Sequence, residues 1–168
     1  MRLTTKGRFA VTAMLDLALH AQDGPVTLSN ISERQKISLS YLEQLFSKLR
    51  RGSLVESVRG PGGGYNPARS LEQLTVADII IAVEEPIDSR QCEGRDNCLG
   101  DRRCMTHDLW ESLNATVINH LTGVTLAQLG EKERNKAVRG VASQMTMRPR
   151  ATSKNRSGIV SETPIIVV

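Results

Sequence analysis

Leu39-Ser-Tyr-Leu-Glu-Gln-Leu-Phe-Ser-Lys-Leu-Arg-Arg51 is the stretch from which the fold is read. Leu42, Leu45, Phe46 and Leu49 stand at i, i+3, i+4 and i+7, so a helix over these residues has one apolar face to bury. Ser40, Glu43, Gln44, Ser47 and Arg51 lie off that stripe, and with Lys48 they make a short polar face with a basic end. In isolation such a face is a solvated helix surface; its neighbours change the reading. A break at Lys36-Ile37 separates this helix from a shorter one that fits Leu28 to Gln35. On the other side, Leu54-Val-Glu-Ser-Val-Arg59 alternates imperfectly as a half-buried strand and runs into Gly60-Pro-Gly-Gly-Gly-Tyr65. Helix, turn, helix, strand and glycine turn is the order of a winged helix. The second helix of that architecture enters the major groove, and the wing lies against the backbone or an adjacent minor groove. The candidate DNA-contacting residues are therefore Ser38, Ser40, Tyr41, Glu43, Gln44, Ser47, Lys48 and Arg51 on the helix, with Arg59 and Gly60 at the wing. A phosphate loop is disfavoured, because the glycine run has no Gly-Lys-Ser/Thr and no helix follows it directly.

Before this unit, a helix is expected over about residues 8 to 21, with Val11, Met14, Leu15, Ala18 and Leu19 on its apolar face and Asp23-Gly24-Pro25 as its stop. The same stretch follows Arg2, Lys6 and Arg8 as a secretory signal would, but Asp16 and His20 inside it argue for an amphipathic helix instead. No apolar run approaches the ~20 residues of a membrane span. The chain has 168 residues and only five aromatics, so its core is built from Leu, Ile, Val and Ala, which favours packed helices. Charge is segregated: nine Lys/Arg against five Asp/Glu in residues 1–65, five against ten in 66–130, and eight against three in 131–168. The basic front suits a polyanion and the acidic middle does not, so two separate jobs are expected.

The fold class that follows is mainly α with a small β-wing: a winged helix-turn-helix plus a long dimerisation helix. Residues 1–66 form the DNA-binding region. Residues 67–130 carry a metal-binding loop and the dimerisation helices, and 131–168 form a basic, disordered tail. Within the middle section, Thr75-Val-Ala-Asp78 has the pattern of a capped helix start and that helix ends at Glu85-Pro86. A long helix from about Arg103 places Leu109, Trp110, Leu113, Val117, Ile118 and Leu121 over half its circumference, wider than a small domain needs to bury. A contact between two copies is the natural use; packing onto the chain's own winged helix is the alternative. Thr125 to Leu129 forms a last short helix, and after Gly130 the apolar periodicity ends.

The chemistry is concentrated in Cys92-x5-Cys98-x5-Cys104-x2-His107, which holds every cysteine of the chain. An odd number cannot close a disulfide set. Metal ligation in a reducing cytoplasm accounts for them better. If Cys104 and His107 share a helical turn they lie on one face, within about 5–6 Å at their β-carbons, and chelate one centre. Arg90, Arg95, Arg102 and Arg103 surround the thiols and favour thiolates. His20 and His120 are too far along the chain to compete with His107. Three thiolates and an imidazole satisfy zinc, although the paired knuckles usual for zinc are absent; a 2Fe-2S cluster also takes four ligands. Spacing alone leaves both open.

Met1-Arg-Leu-Thr-Thr-Lys-Gly-Arg-Phe-Ala-Val-Thr-Ala-Met-Leu-Asp16, Ile31-Ser-Glu-Arg34, Ser38-Leu-Ser-Tyr-Leu-Glu-Gln-Leu-Phe46, Val58-Arg-Gly-Pro-Gly-Gly-Gly-Tyr65 and the Cys/His loop together closely resemble the bacterial iron-sulfur cluster regulators, a family of winged-helix transcription factors. The resemblance covers about residues 1 to 130. It implies a cytoplasmic homodimer that binds a 2Fe-2S cluster through Cys92, Cys98, Cys104 and His107. It further implies control of iron-sulfur assembly genes at inverted-repeat operators in double-stranded DNA, with cluster occupancy changing which sites are bound and an assembly scaffold as cluster donor. Asn66-Pro67 departs from the apolar strand usual after Tyr65, so a short or frayed return strand is expected. A zinc-stabilised constitutive regulator is the alternative. A redox enzyme or cluster carrier has no supporting motif and no need of a basic winged helix.

Overall fold

The computed structural model describes residues 5–83, 92, 95–100 and 102–146, with side chains of the last helix described to residue 136. Its elements are α1 (Thr5–His20), α2 (Leu28–Gln35), α3 (Leu39–Arg51), β1 (Val55–Val58), β2 (Gly64–Pro67), α4 (Val76–Val83), α5 (His107–Thr122) and α6 (Leu126–Thr146). The core lies between α1, α2, α3 and α4. Leu42, Leu45, Phe46 and Leu49 are all buried there, as their spacing requires.

α1 presents a face one position round from the expected one: Ala10, Ala13, Met14, Leu17 and Ala18 are buried, whereas Val11 and Leu15 are only partly so. Alanines let neighbouring helices approach closely, and the rotation also takes Asp16 inward. Asp16 is 2% exposed and is satisfied by Arg34 (Nη2–Oδ1 2.6 Å, Nε 3.1 Å from both oxygens) and by Gln35 Nε2 at 2.6 Å. Asp16 thus ties α1 to α2.

Thr27 caps α2 through a bond from the Asn30 amide, and Lys36 turns the chain in the left-handed region (φ 55°). Ser32 Oγ donates to the Ile37 carbonyl at 2.6 Å and staples that turn. The wing is a two-stranded antiparallel ribbon with Val55 opposite Pro67 and Val58 opposite Gly64. Pro67 does end the return strand. It sits at the last paired position, so its missing amide costs the ladder nothing, and Ala68 N resumes bonding to Leu54 O. Val26 exchanges two backbone bonds with Tyr65, whose ring meets Phe46 edge-on at 4.9 Å. The wing is thereby held on both α1's exit and α3. Gly64 must be glycine: a β-carbon there would stand 2.6 Å from the Val26 backbone.

Thr75 and Asp78 form the expected reciprocal cap at the start of α4, and Thr125 and Gln128 repeat it at α6. The expected end of the first of these helices, at Glu85-Pro86, lies outside the described residues. α6 corrects the expectation of a disordered tail from residue 131, since the helix continues to Thr146. Leu126 and Gly130 are buried, with Gly130 near Leu19 of α1. Beyond them Glu, Lys, Arg and Ala are strong helix formers without needing an apolar stripe, and Glu133–Lys136 adds a surface pair at 2.9 Å. Residues 147–168 lie outside the described residues.

Candidate nucleic-acid interface and metal centre

Ser40, Glu43, Gln44, Ser47, Lys48 and Arg51 line one shallow recess along the outer face of α3. Ser38, Ser40, Glu43, Gln44, Ser47 and Arg51 are exposed, and Arg59 and Gly60 are exposed at the wing tip, where Gly60 adopts φ 112°. Ser38 is the N-cap residue and Ser40 lies inside the helix. Ser40 and Glu43 therefore do not form a capping box, which leaves the Glu43 carboxylate on the open face. Two members of the expected set have further roles. Tyr41 is half-buried, its ring edge-on to Phe9 at 5.9 Å, and Lys48 Nζ donates to the Val83 carbonyl at 2.9 Å, holding the end of α4. Arg50, which sequence reasoning omitted, is exposed beside Arg51 in the basic last turn.

The second site lies where the loop enters α5. His107 is the first residue of that helix and is 1% exposed; its Nδ1 is 3.2 Å from Cys98 Sγ and 3.7 Å from Cys92 Sγ. The ligand atoms of Cys92, Cys98 and His107 all lie within 4.8 Å of one another. Cys104 does not join them as expected. α5 begins at His107 rather than near Arg103, so Cys104 stands in the turn before it and not on a shared helical face. Its carbonyl accepts from His107 N (3.1 Å), its amide donates to Cys98 Sγ (3.4 Å), and its own sulfur is 3.7 Å from Thr106 Oγ1. Cys104 is tied to the trio through Cys98.

These contacts act on Cys98 and Cys104 in opposite senses. Thr106 and then the Cys98 side chain stabilise the Cys104 thiolate and lower its pKa. The Cys104 amide acts in the same sense on Cys98, but partial desolvation and hydrogen bonding with the side chains of Cys104 and Cys92 outweigh it, and that thiol is raised. On the far side of the imidazole, Asp96 Oδ1 is 3.0 Å from His107 Nε2 but off the hydrogen-bonding line, so proximity there comes without an aligned bond. Asp96 also receives Arg103 Nη2 at 2.6 Å, which raises the guanidinium pKa. Of the expected surrounding arginines, Arg103 thus faces a carboxylate rather than a thiol, and Arg90 lies outside the described residues. His20 belongs to the Asp16 network and His120 is exposed on α5, so neither approaches the cysteines. A buried imidazole and soft sulfur donors fit a transition metal or an iron-sulfur centre.

α5 bears the wide apolar stripe on its surface: Leu109, Trp110, Leu113 and Ile118 are 38–61% exposed. Among the described residues, no helix is long and apolar enough to cross a membrane.

An exposed polar helix face, a glycine-turned wing and a Cys/His group in a separate loop are the parts of a winged-helix transcriptional regulator that can hold a metal. The family model described as iron-dependent transcriptional regulator, Rrf2, matches residues 3–132, and the chain belongs to that family. It is 52% identical over 156 residues to the HTH-type transcriptional regulator IscR of Pectobacterium atrosepticum and 51% identical to that of Yersinia pestis, each alignment covering 93% of both chains. Among solved structures, T. potens IscR superposes with a TM-score of 0.66 at 37% identity, covering 79% of this chain and 88% of that one. CymR, the global cysteine regulator of B. subtilis, gives 0.69 at 34% identity, covering 79% and 98%. The chain is a DNA-binding regulator, not an enzyme.

Proposed function

We propose that this regulator is a homodimer whose choice of operator is set by a 2Fe-2S cluster on Cys92, Cys98, Cys104 and His107, and that it controls iron-sulfur assembly genes in the bacterial cytoplasm. The observation that carries the reading is the convergence of Cys92, Cys98 and His107 outside the winged helix, with Cys104 one contact away. A single tetrahedral zinc needs four donors around one point, whereas a two-iron cluster takes two donors at each iron. Cys104, tied to Cys98, completes a set of four donors in one loop, the number either centre takes. The description of the matching family as iron-dependent transcriptional regulators supports iron over zinc.

When bound, the cluster supplies a one-electron redox centre whose charge changes with oxidation state. The chain's own residues do the rest. His107 opens α5, the helix whose outer stripe is the proposed dimer face, so whatever holds the imbedded ring also holds that helix's entry. Two copies related by that face present two α3 helices to an inverted repeat, with half-sites about one helical turn or a multiple apart. An assembly scaffold is the proposed donor of the cluster.

The test is anaerobic isolation with metal and sulfide analysis, followed by footprinting of loaded and metal-free protein. Near-equal iron and acid-labile sulfide are expected, with a visible spectrum lost in Cys92→Ala, Cys98→Ala and Cys104→Ala while the winged helix stays folded. Stoichiometric zinc without sulfide overturns the cluster and leaves the zinc-stabilised regulator.

Glu43 is the proposed specificity filter on the reading face. A carboxylate accepts from a cytosine amino group, repels phosphate, and is left unpaired opposite a base with no donor; one such contact discriminates by about 1–3 kcal/mol. Glu43→Ala is expected to improve binding to sites lacking a suitably placed cytosine, roughly 5- to 160-fold on that scale. Arg59→Ala should weaken most sites together. An equal loss at every operator in a binding titration of Glu43→Ala would show a helix-stabilising role instead.

A further inference from the structure

His107 has two nitrogens, and the surroundings treat them differently. Nδ1 faces the sulfurs of Cys98 and Cys92; Nε2 faces a carboxylate 3.0 Å away. That carboxylate is itself held. Arg103 grips its other oxygen at 2.6 Å while reaching Asp108 of α5 at 3.4 Å, and the Asp96 backbone takes φ 60°, a left-handed conformation that only a few residue types accept readily. An Asp in a left-handed turn, gripped by Arg103 and set 3.0 Å from a buried ring, is in place to act on that ring. An imidazole ligates only through a nitrogen without a proton, and a carboxylate behind the ring fixes which nitrogen that is.

We propose that Asp96, clamped by Arg103, is a positioning residue for the metal site: its Oδ1, 3.0 Å from His107 Nε2 but out of line with the ring, becomes the acceptor of the Nε2 proton once the ring turns slightly, so that bare Nδ1 is the nitrogen offered to the metal. The proposal rests on the reading of His107 as a ligand and adds the residue that orients it. It also gives Arg103 a role distinct from lowering thiol pKa values.

The clamp makes an unusual ranking of variants. Arg103 requires an acceptor at its oxygen. In Asp96→Asn the amide must turn its carbonyl to Arg103, which leaves its NH2 group directed at Nε2. A donor then stands where an acceptor stood, and the ring proton is driven to Nδ1, the side facing the sulfurs. Asp96→Ala merely removes the acceptor. Asn tolerates the left-handed backbone better than Ala does, so a purely structural role predicts that Asn is the milder change. The positioning role predicts the reverse.

The experiment uses the full chain, reduced and metal-free, with ring-15N histidine at pH 8.5, where ordinary imidazoles are neutral; His107 is assigned by difference from His107→Asn. Co2+ alone is then titrated against a chelator, since its Cys/His spectrum reports the site whichever metal occupies it in the cell. The wild type is expected to carry its proton on Nε2. Asp96→Asn should shift it toward Nδ1 and weaken Co2+ about 10- to 100-fold, the usual effect of losing an outer partner of a ligand. Asp96→Ala should lose less, and Asp96→Glu should recover part of the wild-type affinity. Circular dichroism should show all variants folded alike. A wild-type ring protonated on Nδ1, or Asp96→Asn binding Co2+ as tightly as Asp96→Ala, overturns the proposal while leaving the ligand reading intact. A His107→Asn protein that binds Co2+ as tightly as the wild type overturns both.

Discussion

Arg34→Ala is expected to lower the stability of the winged helix by about 3 kcal/mol, read as a fall in the urea midpoint with an unchanged slope. The reason is the partner left behind. Asp16 is 2% exposed between α1 and α2, and Arg34 gives it Nη2 and Nε in a two-point grip. Removing one member of a buried pair typically costs about 3–5 kcal/mol, because the other charge stays out of water. Here the lower end applies: Arg34 is a third exposed, so water enters when its side chain is cut away, and Gln35 Nε2 still donates at 2.6 Å. Against a total of about 5–15 kcal/mol for a domain, that loss is large. Arg34→Lys should recover only part of it, since a single ammonium cannot reproduce the fork. Asp16→Asn combined with Arg34→Ala should cost less than the sum of the two. A midpoint for Arg34→Ala equal to the wild type would show that Asp16 is satisfied without Arg34.

The legibility of this molecule in its sequence follows from which forces are local. Helix α3 was readable to the residue because its Leu42, Leu45, Phe46, Leu49 stripe and its turn at Lys36 are short-range signals, and burial agrees with the pattern. The wing is readable from Gly60 to Tyr65, and Pro67 stands at the last paired position of the return strand, where its missing amide is tolerated. α1 was displaced by one position because periodicity does not know that Ala10 and Ala13 admit a close neighbour, or that Asp16 has Arg34 waiting 18 residues on. The same blindness applies to Asp96: nothing in its spacing points to His107, and only the left-handed turn and the Arg103 clamp bring them together. C-x2-H spacing would put Cys104 on a helical face with His107, but α5 starts at His107 and leaves Cys104 in the preceding turn. The tail from residue 131 was read as disordered from a lost stripe, yet α6 is carried on by intrinsic propensity and by burial of Leu126 against the rest of the core.

Leu113→Asp is expected to convert the proposed dimer to monomer and, with it, to lower affinity for an inverted repeat about 100- to 10,000-fold, the range by which linking two modules exceeds either alone. Leu109, Trp110, Leu113 and Ile118 are 38–61% exposed on α5, and Val117 and Leu121 are half-buried beside them. Contiguous apolar surface of this kind marks an interaction site. Its length matches a helix laid against its own copy, which is the symmetric contact commonest among homo-oligomers. A carboxylate at its centre would be buried without a partner, at a cost of several kcal/mol on the order of a polar transfer left uncompensated. Ser112→Asp, one residue away and off the stripe, serves as the control and should stay dimeric. Sedimentation at low protein concentration reads the association, and footprinting on a full operator against a single half-site reads its consequence. The monomer should bind a half-site with nearly wild-type affinity, because α3 and the wing are untouched, while the two-site gain disappears. A Leu113→Asp protein that remains dimeric and retains that gain would place the interface elsewhere, and the exposed stripe would then need another occupant.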